Sequence, residues 1–172
     1  GSTPLHLAAM DGHTETAQAL ITNLGADKEA RNNAGWTPLH LAVLNGKTET
    51  VRALITDLGA DKEARNNAGC APLHLAAFRG HTETAQALIN DCGANKEATN
   101  NRGYTPLHLA AMNDKIETVR ALINDCGADP KARDNDGDTP LHLAALNGKT
   151  ETVRALITDL DANPNARDND GD

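Results

Sequence analysis

The sequence predicts an all-α solenoid of stacked helix-turn-helix units joined by extended, β-hairpin-like fingers. Three observations predict it. The string TPLHLAA at Thr3 returns as TPLHLAV at Thr37, APLHLAA at Ala71 and TPLHLAA at Thr105 and Thr139, a fixed step of 34 residues. Within each step two short apolar stripes at helical spacing are each closed by a turn residue, usually glycine. The 172 residues hold only three aromatics, Trp36, Phe78 and Tyr104. That suits thin Leu, Ile, Val and Ala layers better than one thick core.

Each unit can be justified element by element. Thr at the head of the string is a good N-cap, and the following Pro fits the first helical turn, where its missing N–H costs nothing. Two Leu and two Ala then make a short apolar helix, stopped at Gly12, Gly46, Gly80 and Gly148. Thr14, Thr48, Thr82 and Thr150 are expected to cap a second helix. Glu15, Glu49, Glu83, Glu117 and Glu151 fall in its first turn, where the helix dipole favours an anion. Its buried face reads as in Val51, Leu54 and Ile55, and Gly25, Gly59, Gly93 and Gly127 end it. An extended stretch and a turn closed by Gly35, Gly69, Gly103, Gly137 or Gly171 form the finger. The expected units are 3–36, 37–70, 71–104, 105–138 and 139–172, one continuous solenoid without dedicated caps. Gly1-Ser2 reads as a leader or tag remnant.

A 34-residue step also fits tetratricopeptide repeats, but those need two longer helices and an aromatic pattern absent here. TPLHLAA, the Gly25-Ala26-Asp27 step and the Asn32-to-Gly35 turn resemble the ankyrin repeat, in five copies across residues 3–172. The resemblance implies a non-enzymatic protein-binding scaffold whose finger tips and inner-helix surfaces line a concave face.

Departures from the family pattern carry information. The step is 34 instead of 33, with the extra residue late in the second helix. That helix is expected to gain about one residue, with Leu24, Leu58, Cys92, Cys126 and Leu160 turned inward. A valine common after Gly-Ala-Asp is replaced by Lys28, Lys62, Lys96, Pro130 and Pro164, which loses an apolar contact. Asp114 and Asp161 stand where glycine would, so both are expected at positive φ, and glycine at 114 would be less strained. Both ends keep framework apolar residues (Leu5, Leu7, Leu20 and Ile21; Leu141, Leu143, Leu156 and Ile157). That reads as a segment of a longer array, with head-to-tail self-association possible through the uncapped ends.

Composition excludes several classes. Sixteen Lys and Arg against 24 Asp and Glu give a formal charge of −8, contrary to the basic surface nucleic acids require. No apolar run is long enough to span a membrane, and no secretory leader is expected. Ser2 is the only serine, which leaves no internal serine nucleophile. No phosphate loop, paired catalytic carboxylates or Cys/His arrangement occurs, so no enzyme activity and no cofactor are expected.

His6, His40, His74, His108 and His142 share one position, about one repeat or ~10 Å apart, too far to share a metal ion. They read as structural hydrogen-bonders, and His13 and His81 as exposed. Cys92 and Cys126 are one repeat apart, beyond disulfide reach, and Cys70 lies in a finger. The three read as reduced thiols in the cytoplasm or another reducing intracellular compartment. Asp134 to Asp138 begins like a calcium loop, but Gly137 precedes the third acidic residue and the twelfth position is Ala145, so it reads as an Asp/Asn turn. No metal site is expected. The copies carry net charges of −2, 0, 0, −3 and −3, an acidic C-terminal edge.

The positions that vary most between copies are the candidates for binding. They are the residue before the string (Trp36, Cys70, Tyr104, Asp138, Asp172), the pair after it (Met10-Asp11, Leu44-Asn45, Phe78-Arg79, Met112-Asn113, Leu146-Asn147) and the turn position before glycine (Ala34, Ala68, Arg102, Asp136, Asp170). The predicted protein-binding strip is Trp36, Leu44, Phe78, Arg79, Arg102, Tyr104 and Met112, meeting a protein or peptide partner. Leu44 and its equivalents could instead pack on the adjacent helix. The alternatives are a structural or self-associating repeat segment, or an engineered or excised one with no defined partner.

Overall fold

A computed structural model describes residues 1–169. Asp170, Gly171 and Asp172, which include the last turn glycine and two variable finger positions, lie outside them. Among the described residues the chain is helices and turns, without strands. The first helices of the five units are α1 (Pro4–Asp11), α3 (Pro38–Leu44), α5 (Pro72–Arg79), α7 (Pro106–Met112) and α9 (Pro140–Leu146). The second are α2 (Thr14–Thr22), α4 (Thr48–Arg52), α6 (Thr82–Gln86), α8 (Ile116–Arg120) and α10 (Thr150–Thr158). After α4, α6 and α8 the helix continues as a π turn: π1 (Ala53–Asp57), π2 (Ala87–Asp91) and π3 (Ala121–Asp125).

The cap chemistry explains the first helices. In four units the threonine hydroxyl accepts the N–H three residues on, as Thr37 does from His40. The histidine ring answers it: His40 Nδ1 accepts the Thr37 N–H at 3.1 Å, and Nε2 donates to the Cys70 carbonyl at 3.1 Å. His6, His74 and His108 repeat that bond to the carbonyls of Trp36, Tyr104 and Asp138, and His142 makes its own to Ala166 at 3.0 Å. Each ring thus ties the head of a unit to its own finger. In the third unit Ala71 has no hydroxyl, and only the Ala71 N–H to His74 Nδ1 bond remains, at 3.2 Å.

The second helices correct the expected caps. Thr14, Thr48, Thr82 and Thr150 are first helical residues, and the caps are His13, Lys47, His81 and Lys149, none of which caps its helix through the side chain. The threonine hydroxyls instead form a ladder between units: Thr14–Thr50 at 2.6 Å, Thr48–Thr84 and Thr82–Thr118 at 2.7 Å. Ile116 has no hydroxyl, and there Asp114 Oδ1 takes the proton of Thr152 at 2.7 Å. Asp114 and Asp161 do lie at positive φ, 59° and 56°. The Thr152 bond therefore opposes any gain from glycine at 114. His81, expected exposed, is half-buried and bonds the Leu44 carbonyl through Nε2 at 3.0 Å.

The extra residue enters the interior units as a widened turn. The Leu58 N–H donates to the Ala53 carbonyl five residues back, as do Cys92 to Ala87 and Cys126 to Ala121. The expected inward turn holds for Cys92, Cys126 and Leu160, which are buried, while Leu58 is half-buried. Leu24 is corrected: it is 73% exposed. Residues 48–58 and 150–160 are the same eleven residues, TETVRALITDL, yet only the first forms a π turn. The next residue differs, Gly59 against Asp161, but α2 is also followed by glycine, Gly25, and lacks the π turn, so the flanking units contribute.

Neighbours pack on neighbours. First helices contact in the series α1, α3, α5, α7, α9, and second helices do likewise. Leu39, Leu54, Leu73, Leu88, Leu107 and Leu122 are at most 1% exposed, each contributing about 1.5–3 kcal/mol of apolar burial. Ile21 and Ile89 each pack against two adjoining clusters, so the core runs unbroken along the stack. The fingers are turns closed by backbone bonds such as Asn66 N–H to the Cys70 carbonyl and Gly69 N–H to the Asn66 carbonyl, and adjacent fingers are joined by backbone bonds such as Asn67 N–H to the Ala34 carbonyl. At Gly69 (φ +74°) a Cβ would stand 2.8 Å from the backbone nitrogen of Asn101, so only glycine lets successive fingers approach this closely.

Candidate protein-binding site

The period places the predicted strip residues at finger bases and at the ends of first helices, and contacts join some of them in pairs. Trp36 and Tyr104 are half-buried. Trp36 lies 6.5 Å from the His40 ring, and Tyr104 stacks on His108 at 5.9 Å. Trp36 and Leu44 both pack against the core cluster around Leu39, so Leu44 is partly a packing residue. Met112 is half-buried and Arg102 exposed. Phe78 is 37% exposed, and the Arg79 guanidinium carbon sits 5.7 Å from its ring centroid, a cation–π distance. The other finger-base residue, Cys70, is buried, accepts a weak bond from Asn100, and burial pushes its thiol up.

Sequence reading missed a set of clips between fingers. Lys28, Lys62 and Lys96 reach the carbonyls of Leu58, Cys92 and Cys126 at 2.5–2.6 Å. Beside them, Glu29, Glu63 and Glu97 accept the N–H of Asp61, Asn95 and Asp129 at 2.8, 2.7 and 2.9 Å. The lysine that forgoes an apolar contact gains a charge-assisted bond to the next unit. The period itself was the signal, since each pair recurs 30 or 32 residues ahead of its partner.

At the end faces the sequence pointed to Leu7 but not to Leu24 or Leu146. Four large apolar side chains are exposed among the described residues: Leu7 at 51%, Leu24 at 73%, Leu146 at 79%, and Phe78. The equivalents of Leu7 in later units, Leu41, Leu75, Leu109 and Leu143, are at most 9% exposed.

In the acidic C-terminal fingers, Asp134 Oδ1 accepts the N–H of Asp136 and of Asp138, both at 2.9 Å, an Asx turn as expected. Its Oδ2 is buried without a partner. Burial, then the Asp134 carboxylate, raises the Asp138 carboxyl above its ordinary value.

These features define a stack of helix-turn-helix units with bonded fingers. A family model described as ankyrin repeats (3 copies) matches residues 1–66 and 73–168, and one described as ankyrin repeats (many copies) matches residues 45–89. The chain belongs to the ankyrin repeat family, whose members generally mediate protein–protein interaction and are typically non-enzymatic. A search of curated proteins finds no match. No helix among the described residues is long and apolar enough to cross a membrane.

Proposed function

We propose that this chain is a non-enzymatic scaffold that grips a protein surface or extended peptide across its concave face and finger tips. The strip is Trp36, Leu44, Phe78, Arg79, Arg102, Tyr104 and Met112. Phe78 carries the reading: away from the two end faces it is the one exposed large apolar side chain among the described residues, and Arg79 lies over it. An aromatic anchor beside a donor is the usual material of an interface hot spot. Three buried free thiols, Cys70, Cys92 and Cys126, support a reducing intracellular setting.

The test is affinity capture from a proteome with wild type, Phe78→Ala, and Trp36→Ala with Tyr104→Ala. Partners should be lost from both variants while Phe78→Ala keeps wild-type circular dichroism and melting. Undiminished capture by Phe78→Ala would refute the strip. The double variant is expected to lose some stability as well, because Trp36 packs on the core.

A second reading is end-to-end stacking of copies, favoured by Leu7, Leu24 and Leu146, each more exposed than its interior equivalents, although Phe78, an equivalent of Leu146, is itself exposed. Such a contact is heterologous and does not close. Light scattering should then grow with concentration and stop growing in Leu146→Glu. A strict monomer at high concentration would remove this reading.

A further inference from the structure

The junction between the fourth and fifth fingers lacks both clips found earlier in the stack. Pro130 stands where Lys28, Lys62 and Lys96 reach forward, and Lys131 stands where Glu29, Glu63 and Glu97 accept an N–H. Lysine has no acceptor, so the N–H of Asn163, 32 residues on, has no carboxylate from the preceding finger. A cleft of about 380 Å³ opens at this junction, walled by Pro130 and Asn165. Its charged lining is Lys131, Arg133 and Arg167, with no carboxylate among the described residues that line it. Arg133 Nη1 is held there by the carbonyls of Gly137 at 2.8 Å and Arg167 at 2.7 Å. Among the described residues, Asp161 lies 3.9 Å from the Lys131 ammonium and is fully exposed, and Asp129 Oδ1 accepts the Lys131 backbone N–H at 2.9 Å. A cationic cleft thus sits within the two most acidic units of an acidic protein.

We infer that this cleft binds a carboxylate of an acidic peptide, in the place that the Glu97 carboxylate occupies one unit earlier. One oxygen accepts the Asn163 N–H, as Glu97 Oε1 accepts that of Asp129 at 2.9 Å. The Lys131 ammonium, with Arg133 and Arg167 around it, neutralises the charge. A carboxylate fits the position because the same backbone already receives one at three other junctions. The surrounding acidic fingers repel more distant anionic groups, so the site selects a peptide with its carboxylate spaced by neutral residues.

The test is titration of the full chain, labelled with ¹⁵N, with a peptide alternating Glu and Gly. The same peptide with Gln for Glu, and inorganic phosphate, are run in parallel. The Asn163 amide should shift with the Glu peptide, and the shift should shrink with added salt. Lys131→Glu supplies the carboxylate internally, as in three other units. It should move the Asn163 amide without ligand and weaken peptide binding about tenfold or more. Lys131→Ala leaves the cleft open and should weaken binding less than Lys131→Glu does. An Asn163 amide unmoved by the Glu peptide, an equal shift with the Gln peptide, or unchanged binding by Lys131→Glu would overturn the site. A larger response to phosphate would overturn its assignment to a carboxylate.

Discussion

The first three units and the last two have nearly the same helices but differently joined fingers. From the first unit to the fourth, a lysine and a glutamate of each finger clip the next one, and an asparagine (Asn32, Asn66, Asn100) closes each turn. From Pro130 onward the lysine and glutamate clips stop, and Asp134 replaces asparagine with a buried, unpartnered oxygen. From the second unit on, the helices bury the same leucines. The difference teaches that apolar stacking sets the architecture, while exchangeable polar contacts decide how firmly each finger is held and what charge it presents.

Acid provides the largest expected effect. Burial holds the His40 and His74 rings down to about 4 from an ordinary 6.5, with Arg31 and Arg65 adding to it. Each Nδ1 accepts an N–H, so protonating it sets donor against donor. Unfolded histidine takes up its proton near 6.5 and folded histidine only near 4, so stability is full above 6.5 and falls as pH drops towards 4. The gap is worth about 3 kcal/mol per ring below both values. His108 is also lowered by burial, but there the Asp134 carboxylate pulls the other way. Urea unfolding at pH 7, 5 and 4, followed by amide exchange, should show the second and third units losing most protection. Equal loss along the stack would break the contrast.

Removing a clip comes next. Lys62→Met should cost about 1–2 kcal/mol, because a charge-assisted bond to the Cys92 carbonyl is lost while the stem still packs. The corresponding change at position 130 in the fourth unit, Pro130→Met, removes no such bond and should change the melting midpoint far less. Similar losses would mean that the lysine clips do not hold the fingers.

The smallest expected effect is at Ala71. Ala71→Thr restores the missing hydroxyl over His74 and should add about 1 kcal/mol, seen as a raised urea midpoint. Thr37 and Thr105 fit the same buried position, so no change would show that the ring alone suffices as a cap.

Much of this was legible because the period repeats five times. The string gave the first helices and their caps, and glycine replaced by aspartate gave the positive φ of Asp114 and Asp161. Thr14, Thr48, Thr82 and Thr150 were misplaced by one position because a threonine at a helix start normally caps it. The partners of Thr14, Thr48 and Thr82 lie in the next unit, where sequence neighbours give no hint. Lys28 looked like a lost apolar contact because its reach to Leu58 crosses 30 residues. Of the candidate strip, the pairing of Phe78 with Arg79 was readable from adjacency. The partial burial of Trp36, Leu44 and Tyr104 needed the coordinates.

The eleven residues shared by 48–58 and 150–160 have a consequence for communication along the stack. One string takes a wide turn between two neighbours and a tight turn beside one. Covering the open face of α10 would therefore favour the wide turn there. That rearrangement would reach the surface α10 presents to α8 in the adjacent unit. A contact at one end would thus bias the packing of the unit behind it, a nearest-neighbour coupling that needs no hinge and no domain motion.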